Sequence, residues 1–371
     1  MFSRLVWIEA RLVLVSWILD YVMLLVFVYE NRIVLHLGGC VDESRILGEA
    51  KDFAVYWMNL VYRYVLSVIF LNQPLRAVDD SQSDGGCGLS YWVAVLAKNA
   101  ASRITETLTS ITNQTVKPER IVVVNDGSSD GTSELLAHAS REYSIIRVLD
   151  LPDRGYDIRR VPSNVNRAIE SASDLRTEYL MISGDDSTYP PDYVELLIRK
   201  MSENRRIGVA SGRPKQGGLV LREHSPSGSG RIIRSSLLES SGGRFPVRAG
   251  WEAWLLYRAL MMGYSTKVLD GLVYEHVRPR GSGHQFTYWG AAMYTLGYHP
   301  LYALGRIGRQ LTKLKSTRSS IALFRGYLTA TLGSDDPFIT PFDPTLRGFV
   351  ALEQTREIGR VVVSIISRGN G

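Results

Sequence analysis

The sequence predicts an α/β protein built on a mostly parallel sheet. Three observations carry that expectation. Short apolar runs alternate with stretches of helical periodicity between residues 91 and 211, the pattern of strands joined by helical crossovers. Runs such as Ile121-Val122-Val123-Val124 are β-branched and continuously apolar, which suits strands covered on both faces. Acids stand just past the ends of two such runs, at Asp126 and at Asp185-Asp186, where an open α/β sheet binds its ligand.

In chain order, Tyr91–Ala97 reads as the first strand. Ile104, Leu108 and Ile111 share one face of a helix over Ile104–Gln114 that ends before Pro118. Ile121–Val124 is the second strand, and Ser128 and Ser129 are expected to cap a helix running through Ser133–Ser140. Ile145–Leu149 is a third strand, Val165–Ala172 a helix and Tyr179–Ile182 a fourth strand. Pro190-Pro191 opens a helix over Asp192–Met201, because a proline costs little where the N–H has no helical partner. Ile207–Ser211 is a fifth strand. Gly212–Gly243 is rich in Gly, Ser, Pro and Arg without periodicity and is expected to be a loop. Its cations Arg213, Lys215, Arg222, Arg231 and Arg234 are the expected contacts for an anionic acceptor. A helix at Glu252–Met262 and a strand at Thr266–Leu269 follow.

The 371 residues, 45% hydrophobic and 22% charged, have globular composition and length enough for a large core. The layout expected is an apolar helical extension over 1–76, a small polar linker over 77–89, an α/β domain over 90–284 and an amphipathic helical region over 285–371. Leu12–Leu19 and Tyr21–Tyr29 are separated by Asp20, and Phe53–Leu71 is interrupted by Arg63. Neither stretch is an uncharged span of about 20 residues. Buried or interfacial helices and a membrane hairpin with Asp20 and Arg63 facing protein both fit. A cleaved secretion signal is not expected, since no small-residue cleavage site follows a basic segment.

The net charge of +6 is too mild to indicate nucleic acid and suits an anionic substrate or lipid surface. Residues 301–371 hold 10 Lys/Arg against 5 Asp/Glu. The stretch with Arg306, Arg309, Lys313, Lys315 and Arg318 fits an interfacial helix with snorkelling cations, and equally a helical cap on the α/β domain. Cys40 and Cys87 have no metal-ligand spacing and form no disulfide framework, so a reducing compartment is expected.

Two motifs bear chemistry. In Asn125-Asp126-Gly127-Ser128-Ser129-Asp130-Gly131-Thr132 the glycines allow a tight turn, leaving Asp126 at the sheet edge to accept a hydrogen bond from a base N–H. Alone, the motif reads as readily as an ordinary strand-to-helix turn. Asp185-Asp186 adds weight. Adjacent acids after an apolar strand are costly unless a cation or solvent relieves them. Mg²⁺ or Mn²⁺ would do so, with substrate phosphates completing the shell.

The segment from Trp92 to about His284 resembles a family 2 glycosyltransferase with the GT-A fold. The resemblance is carried by Val122–Thr132, by Ser183-Gly184-Asp185-Asp186-Ser187-Thr188-Tyr189-Pro190-Pro191-Asp192-Tyr193, by Trp251–Arg258 closing at Gly263-Tyr264, and by His276 with Arg278-Pro279-Arg280. It implies a Rossmann-like, mostly parallel sheet and inverting transfer of a sugar from a nucleotide-diphosphate donor. Asp126 would contact the base, Asp185 would lie near the ribose and sugar, and Asn99 would join the donor set. Asp186 would ligate Mg²⁺ or Mn²⁺, and His276 would ligate the metal as well or touch phosphate. Glu252 would be the catalytic carboxylate, and Arg278 and Arg280 would clamp the diphosphate. This casting suits the chemistry: one carboxylate takes the acceptor's proton while cations neutralise the leaving group. The resemblance does not fix the acceptor; the basic C-terminal stretch together with the apolar N-terminal runs suggests a lipid-linked or glycan acceptor met at the cytoplasmic face of a membrane.

The chain departs from the family's pattern in three places. The first strand ends in Leu96-Ala97-Lys98-Asn99, which places Lys98 where an aromatic often lies beside the base and allows a Lys–phosphate contact instead. Gly184 stands for the first acid of the usual pair around the metal, and Trp251 precedes Glu252 where another acid is usual. The rival readings are a nucleotidyltransferase, which should have a Gly-rich loop after the first strand, and a non-catalytic membrane-associated scaffold.

Overall fold

The computed structural model describes residues 89–215, 225–277, 283–313 and 317–369. The apolar runs expected within 1–76 and nearly all of the 77–89 linker lie outside them. Eight strands form one sheet in the order β3-β2-β1-β4-β7-β6-β8-β5. They are β1 (Tyr91–Ala97), β2 (Ile121–Asn125), β3 (Ile146–Asp150), β4 (Tyr179–Gly184), β5 (Ser187–Thr188), β6 (Ile207–Pro214), β7 (Arg231–Arg234) and β8 (Ser265–His276). β1 runs parallel to both β2 and β4, β2 to β3, and β6 to β8. β7 is antiparallel to its neighbours β4 and β6, and β5 is antiparallel to β8.

The core follows from the period-2 exposure of strand side chains. Tyr91, Val93 and Val95 of β1 and Ile121 and Val123 of β2 join one buried cluster with α1 (Ile104–Thr112) and α4 (Tyr193–Glu203). The alternate residues, including Ala94, Val122 and Val124, are equally buried on the other face. That face is covered by α3 (Val161–Ser171), packed on β1 and β2 through its buried Val165 and Ala168. α2 (Thr132–Glu142) flanks β3. Truncating a fully buried member such as Met181 or Leu197 to alanine would cost about 2–5 kcal/mol through lost burial and the cavity left behind.

Several expectations need correction. Gly212–Gly243 is not one loop: β6 continues to Pro214, Arg231–Arg234 form β7 inside the sheet, and α5 (Ser235–Ser240) follows. The arginines disguised the strand. Arg231 is buried and donates to the carbonyls of Pro226, Ser227 and Glu252. Arg234 donates to Met201 O and lies over the Tyr179 ring. The expected role of this cationic stretch in meeting an acceptor is therefore lost at both positions. Arg213 and Lys215 are paired with Asp270 and Glu275, and Arg222 lies outside the described residues.

Ser128 and Ser129 do not cap α2. Its N-cap is Gly131 at φ 87°, and Asp130 accepts from Thr132 N at 3.2 Å. α3 begins at Val161 rather than Val165, because Pro162 sits in its first turn, where proline fits. β8 runs on to His276, well past Leu269.

After α6 (Trp251–Met261) and β8 the region expected to be helical is so: α7 (Gly283–Thr295), α8 (Pro300–Lys313), α9 (Thr317–Leu332) and α10 (Pro344–Gly369). The sheet and the helices from α1 through α9 belong to one compact unit ending at Arg347, and residues 348–369 of α10 belong to a second. Among the described residues, no helix is long and apolar enough to cross a membrane.

Candidate active site

The chain runs from β1 out to β2 and β3, then returns to place β4 on the other side of β1. The carboxyl ends of β1 and β4 thus form a switch point, the usual ligand crevice of such sheets. Asp185, 3% exposed, accepts the Lys98 backbone N–H at 2.9 Å and ties the two strand ends together.

Beside it, the turn after β2 is held by a charge network. Lys98 Nζ donates to Asp126 O at 2.8 Å and to Asp153 Oδ1 at 2.6 Å. That hydrogen bond holds the Asp153 carboxyl below its usual range. The ammonium is thus engaged by the protein itself, in place of the phosphate contact the sequence allowed. Asp126 takes the Arg160 guanidinium, with Nη2 to Oδ2 at 3.0 Å and Nε to Oδ1 at 3.4 Å. Arg160 escaped the sequence reading; it ends the short 3₁₀ turn Ile158–Arg160 just ahead of α3. Asn99 adopts φ 48° and clasps the motif through Ser129 N to its Oδ1 and its own N to Ser128 Oγ, both at 2.9 Å. Gly127 is needed twice over: its φ is +66°, and a Cβ there would lie 2.3 Å from Asp153 Cα.

On the other side, Asp186 is 5% exposed and faces His276, with Oδ1 3.3 Å from Nδ1. The pairing is built by strand register, since Ser187 pairs with His276 across β5 and β8 and Val277 N donates to Asp186 O. Ser187 Oγ also lies 3.1 Å from His276 Nδ1 and 2.8 Å from Ser229 Oγ. Ser229 Oγ accepts from Gly184 N at 2.9 Å and meets Tyr189 OH at 3.0 Å. Burial pushes the Tyr189 and Tyr193 phenols up, so both remain neutral at physiological pH.

Glu252 lies exposed in the first turn of α6, where the helix macrodipole favours an anion. The loop Ser227–Gly230 runs between Glu252 and the Asp186 side. A Cβ at Gly228 would lie 2.5 Å from Glu252 Oε1, and its neighbour Ser229 touches Ser187 and Gly184. Gly228 and Ser229 were absorbed into the expected 212–243 loop. Their signal was the Ser-Gly-Ser-Gly run directly before Arg231.

The structure thus connects Asn99, Asp126 and Asp185 through Lys98 and the β2 turn, and Asp186, His276 and Glu252 through Ser227–Gly230. Arg278 and Arg280 lie outside the described residues. Among the described residues, no three His, Cys, Asp or Glu side chains form a metal cage by themselves.

Residues 92–261 match the family model described as Glycosyl transferase family 2. This segment is a family 2 glycosyltransferase domain. Among curated proteins, the chain is 24% identical over 164 residues to poly-beta-1,6-N-acetyl-D-glucosamine synthase of Staphylococcus epidermidis RP62A, covering 44% of this chain and 37% of that protein. It is 25% identical over 163 residues to the enzyme of the same name from Staphylococcus aureus COL, with the same coverages. The match thus spans little more than a third of these relatives' length. Among solved structures, S. aureus TarS 1–349 in complex with UDP aligns at TM-score 0.44 and 17% identity, covering 62% of this chain and 73% of that one. The mannosyltransferase PcManGT of Pyrobaculum calidifontis, in complex with GDP-Man and Mn²⁺, aligns at TM-score 0.46 and 17% identity, covering 77% and 86%. The sheet of the family 2 domain is the mostly parallel one the resemblance implied, with the antiparallel β7 inserted at its centre.

Proposed function

We propose that the chain is an inverting, metal-dependent glycosyltransferase that moves a sugar from a nucleotide-diphosphate donor to a hydroxyl of a lipid-linked or glycan acceptor at the cytoplasmic face of a membrane. The observation that carries the chemistry is the Asp186–His276 pair with Glu252 set across the Ser227–Gly230 loop.

Asp186 and His276 suit a divalent cation. Two neighbouring ligands on an octahedral ion at 2.0–2.1 Å stand about 3 Å apart, close to the 3.3 Å between Asp186 Oδ1 and His276 Nδ1. Two protein ligands leave positions for diphosphate oxygens, the usual way Mg²⁺ is held. When bound, the ion would neutralise charge building on the departing nucleoside diphosphate.

Glu252 would take the proton of the incoming hydroxyl. Its exposure leaves it open to an acceptor, while Gly228 brings backbone rather than side chain against its carboxylate. Asp126 would read a base N–H, and Asp185 would stand at the ribose while fixing the β1–β4 crevice through Lys98 N. Arg278 and Arg280 remain the proposed diphosphate clamp. The names of the curated relatives make N-acetylglucosamine the first sugar to try.

The test is a thermal-shift series of nucleoside diphosphates, each with and without Mn²⁺. Stabilisation by one of them that requires the metal, at 100 Kd about 2.7 kcal/mol, is the expected result. The absence of any such shift overturns the reading in favour of a non-catalytic scaffold.

A further inference from the structure

α9 presents an apolar stripe to solvent. Ile321, Phe324, Leu328 and Leu332 are 61%, 44%, 42% and 79% exposed. Their spacing of three, four and four residues puts them on one helical face. Buried Ser320, Leu323, Gly326 and Ala330 occupy the opposite face.

That inner face is fixed by close contact with α7. A Cβ at Gly326 would lie 1.9 Å from Thr287 O, and one at Gly290 would lie 2.0 Å from Leu323 O. Backbone therefore meets backbone where the two helices cross, and α9 cannot turn its stripe inward without breaking that fit.

Charge identifies what the stripe fits. Residues 300–332, spanning α8 and α9, contain Arg306, Arg309, Lys313, Lys315, Arg318 and Arg325 and no acid. Six positive charges equal the surplus of the entire chain. Arg318 and Arg325 are exposed along one flank of the stripe, and Arg306 and Arg309 are exposed on α8 beside the half-exposed Leu304. Exposed apolar side chains edged by cations, with the nearest acids in sequence, Asp335 and Asp336, lying past the end of α9, match the headgroup boundary of an anionic bilayer. A protein partner of ordinary composition would offer cations as well as anions, and a second copy of this surface would meet it with like charge. At 16 residues, about 24 Å at 1.5 Å per residue, α9 suits lying in the interface rather than crossing it.

We propose that the outer face of α9, with the exposed arginines of α8, is a docking surface for an anionic lipid membrane. This deepens the proposed function by assigning its membrane contact to a defined face within the unit that carries the transferase site.

The full-length chain, Ile321→Glu/Phe324→Glu/Leu328→Glu and Arg306→Gln/Arg309→Gln/Arg318→Gln/Arg325→Gln are each sedimented with vesicles of phosphatidylcholine alone or with 30% phosphatidylglycerol. The wild type is expected to sediment with anionic vesicles at least about tenfold more strongly than with neutral ones, and both variants to lose that preference. Cations near an anionic surface bind through a field that salt screens, so the arginine variant should also flatten the salt dependence. Equal sedimentation of all three proteins, or none by the wild type, overturns the proposal. So does a wild-type dimer that the glutamate variant converts to monomer, which assigns the stripe to self-association. A metal-dependent nucleotide shift in all three proteins shows that they are folded and reads the transferase site separately, so a failure here is not a failure there.

Discussion

The two halves of the sheet's carboxyl rim are held by different forces. On the β1–β2 side, Lys98, Asp153, Asp126 and Arg160 neutralise one another in ion pairs partly open to solvent. On the β4–β8 side, Ser183, Ser187, Tyr189 and Ser229 form a mostly buried hydroxyl network against Asp186 and His276. The difference teaches which half can move. Ion pairs partly open to water are weakened by solvent screening, whereas a buried hydroxyl left unpaired costs about 1–3 kcal/mol. Under the proposed function, the adaptable half meets the nucleoside and the stiff half meets the leaving group. Catalysis benefits from that division, since the groups that stabilise developing charge should need no reorganisation.

The largest effects should fall on the stiff half. Glu252→Gln is expected to lower kcat by about 10²–10⁴-fold, the range for a lost general base, while nucleotide binding persists. Asp186→Ala should abolish turnover and also remove the metal-dependent part of the nucleotide shift. Steady-state kinetics beside thermal shift separates the two, and wild-type-like turnover in either variant removes the site assignment. Ser229→Ala tests the network itself. The Ser229 hydroxyl meets Gly184 N, Ser187 Oγ and Tyr189 OH, and losing it should cost about 10–100-fold in metal affinity or activity, as lost partners behind a ligand do. An unchanged Mn²⁺ titration would show that the hydroxyls only fill space.

The adaptable half should respond in the opposite direction. The Asp126 carboxylate is already taken by Arg160, so under the proposed function a base N–H would have to displace or share that guanidinium. Arg160→Gln frees the acid, and donor affinity is expected to rise by up to about tenfold, equivalent to about 1.4 kcal/mol. Weaker binding would instead make Arg160 a donor ligand, and the comparison between the halves would have to be redrawn.

Much of this arrangement was legible in sequence for a simple reason. β1, β2 and β4 are buried on both faces, so burial wrote itself as unbroken apolar runs, and the acids stood out where those runs stopped. Tyr91–Ala97 has in the structure the bounds read from sequence. β7 was illegible because its ends are arginines whose guanidiniums find carbonyl partners inside the fold. A hydropathy pattern records charge, not satisfaction. Arg160 and Ser229 were missed because each acts across a gap in sequence, 34 residues to Asp126 and 42 to Ser187. The extension of β8 to His276 hid behind exposed Asp270 and Gly271, beside the register shift at Gly212/Arg213.

The smallest effect lies in the C-terminal helical region and serves as a control for the rim. His299 stands immediately before α8, and burial lowers its pKa below the usual 6.5. The folded state therefore favours the neutral imidazole, while the unfolded chain binds a proton as pH falls below about 6.5. The contribution of His299 to stability is complete above that unfolded value and declines as pH drops toward the lowered folded value. His299→Gln should flatten the change in Tm between pH 7.5 and 5.5 without altering kcat or the metal-dependent nucleotide shift at pH 7.5. An unchanged slope would mean that the imidazole is wetter than its surroundings suggest. Altered kinetics at pH 7.5 would mean that the C-terminal helices act on the rim, and the two-part comparison would then need a third member.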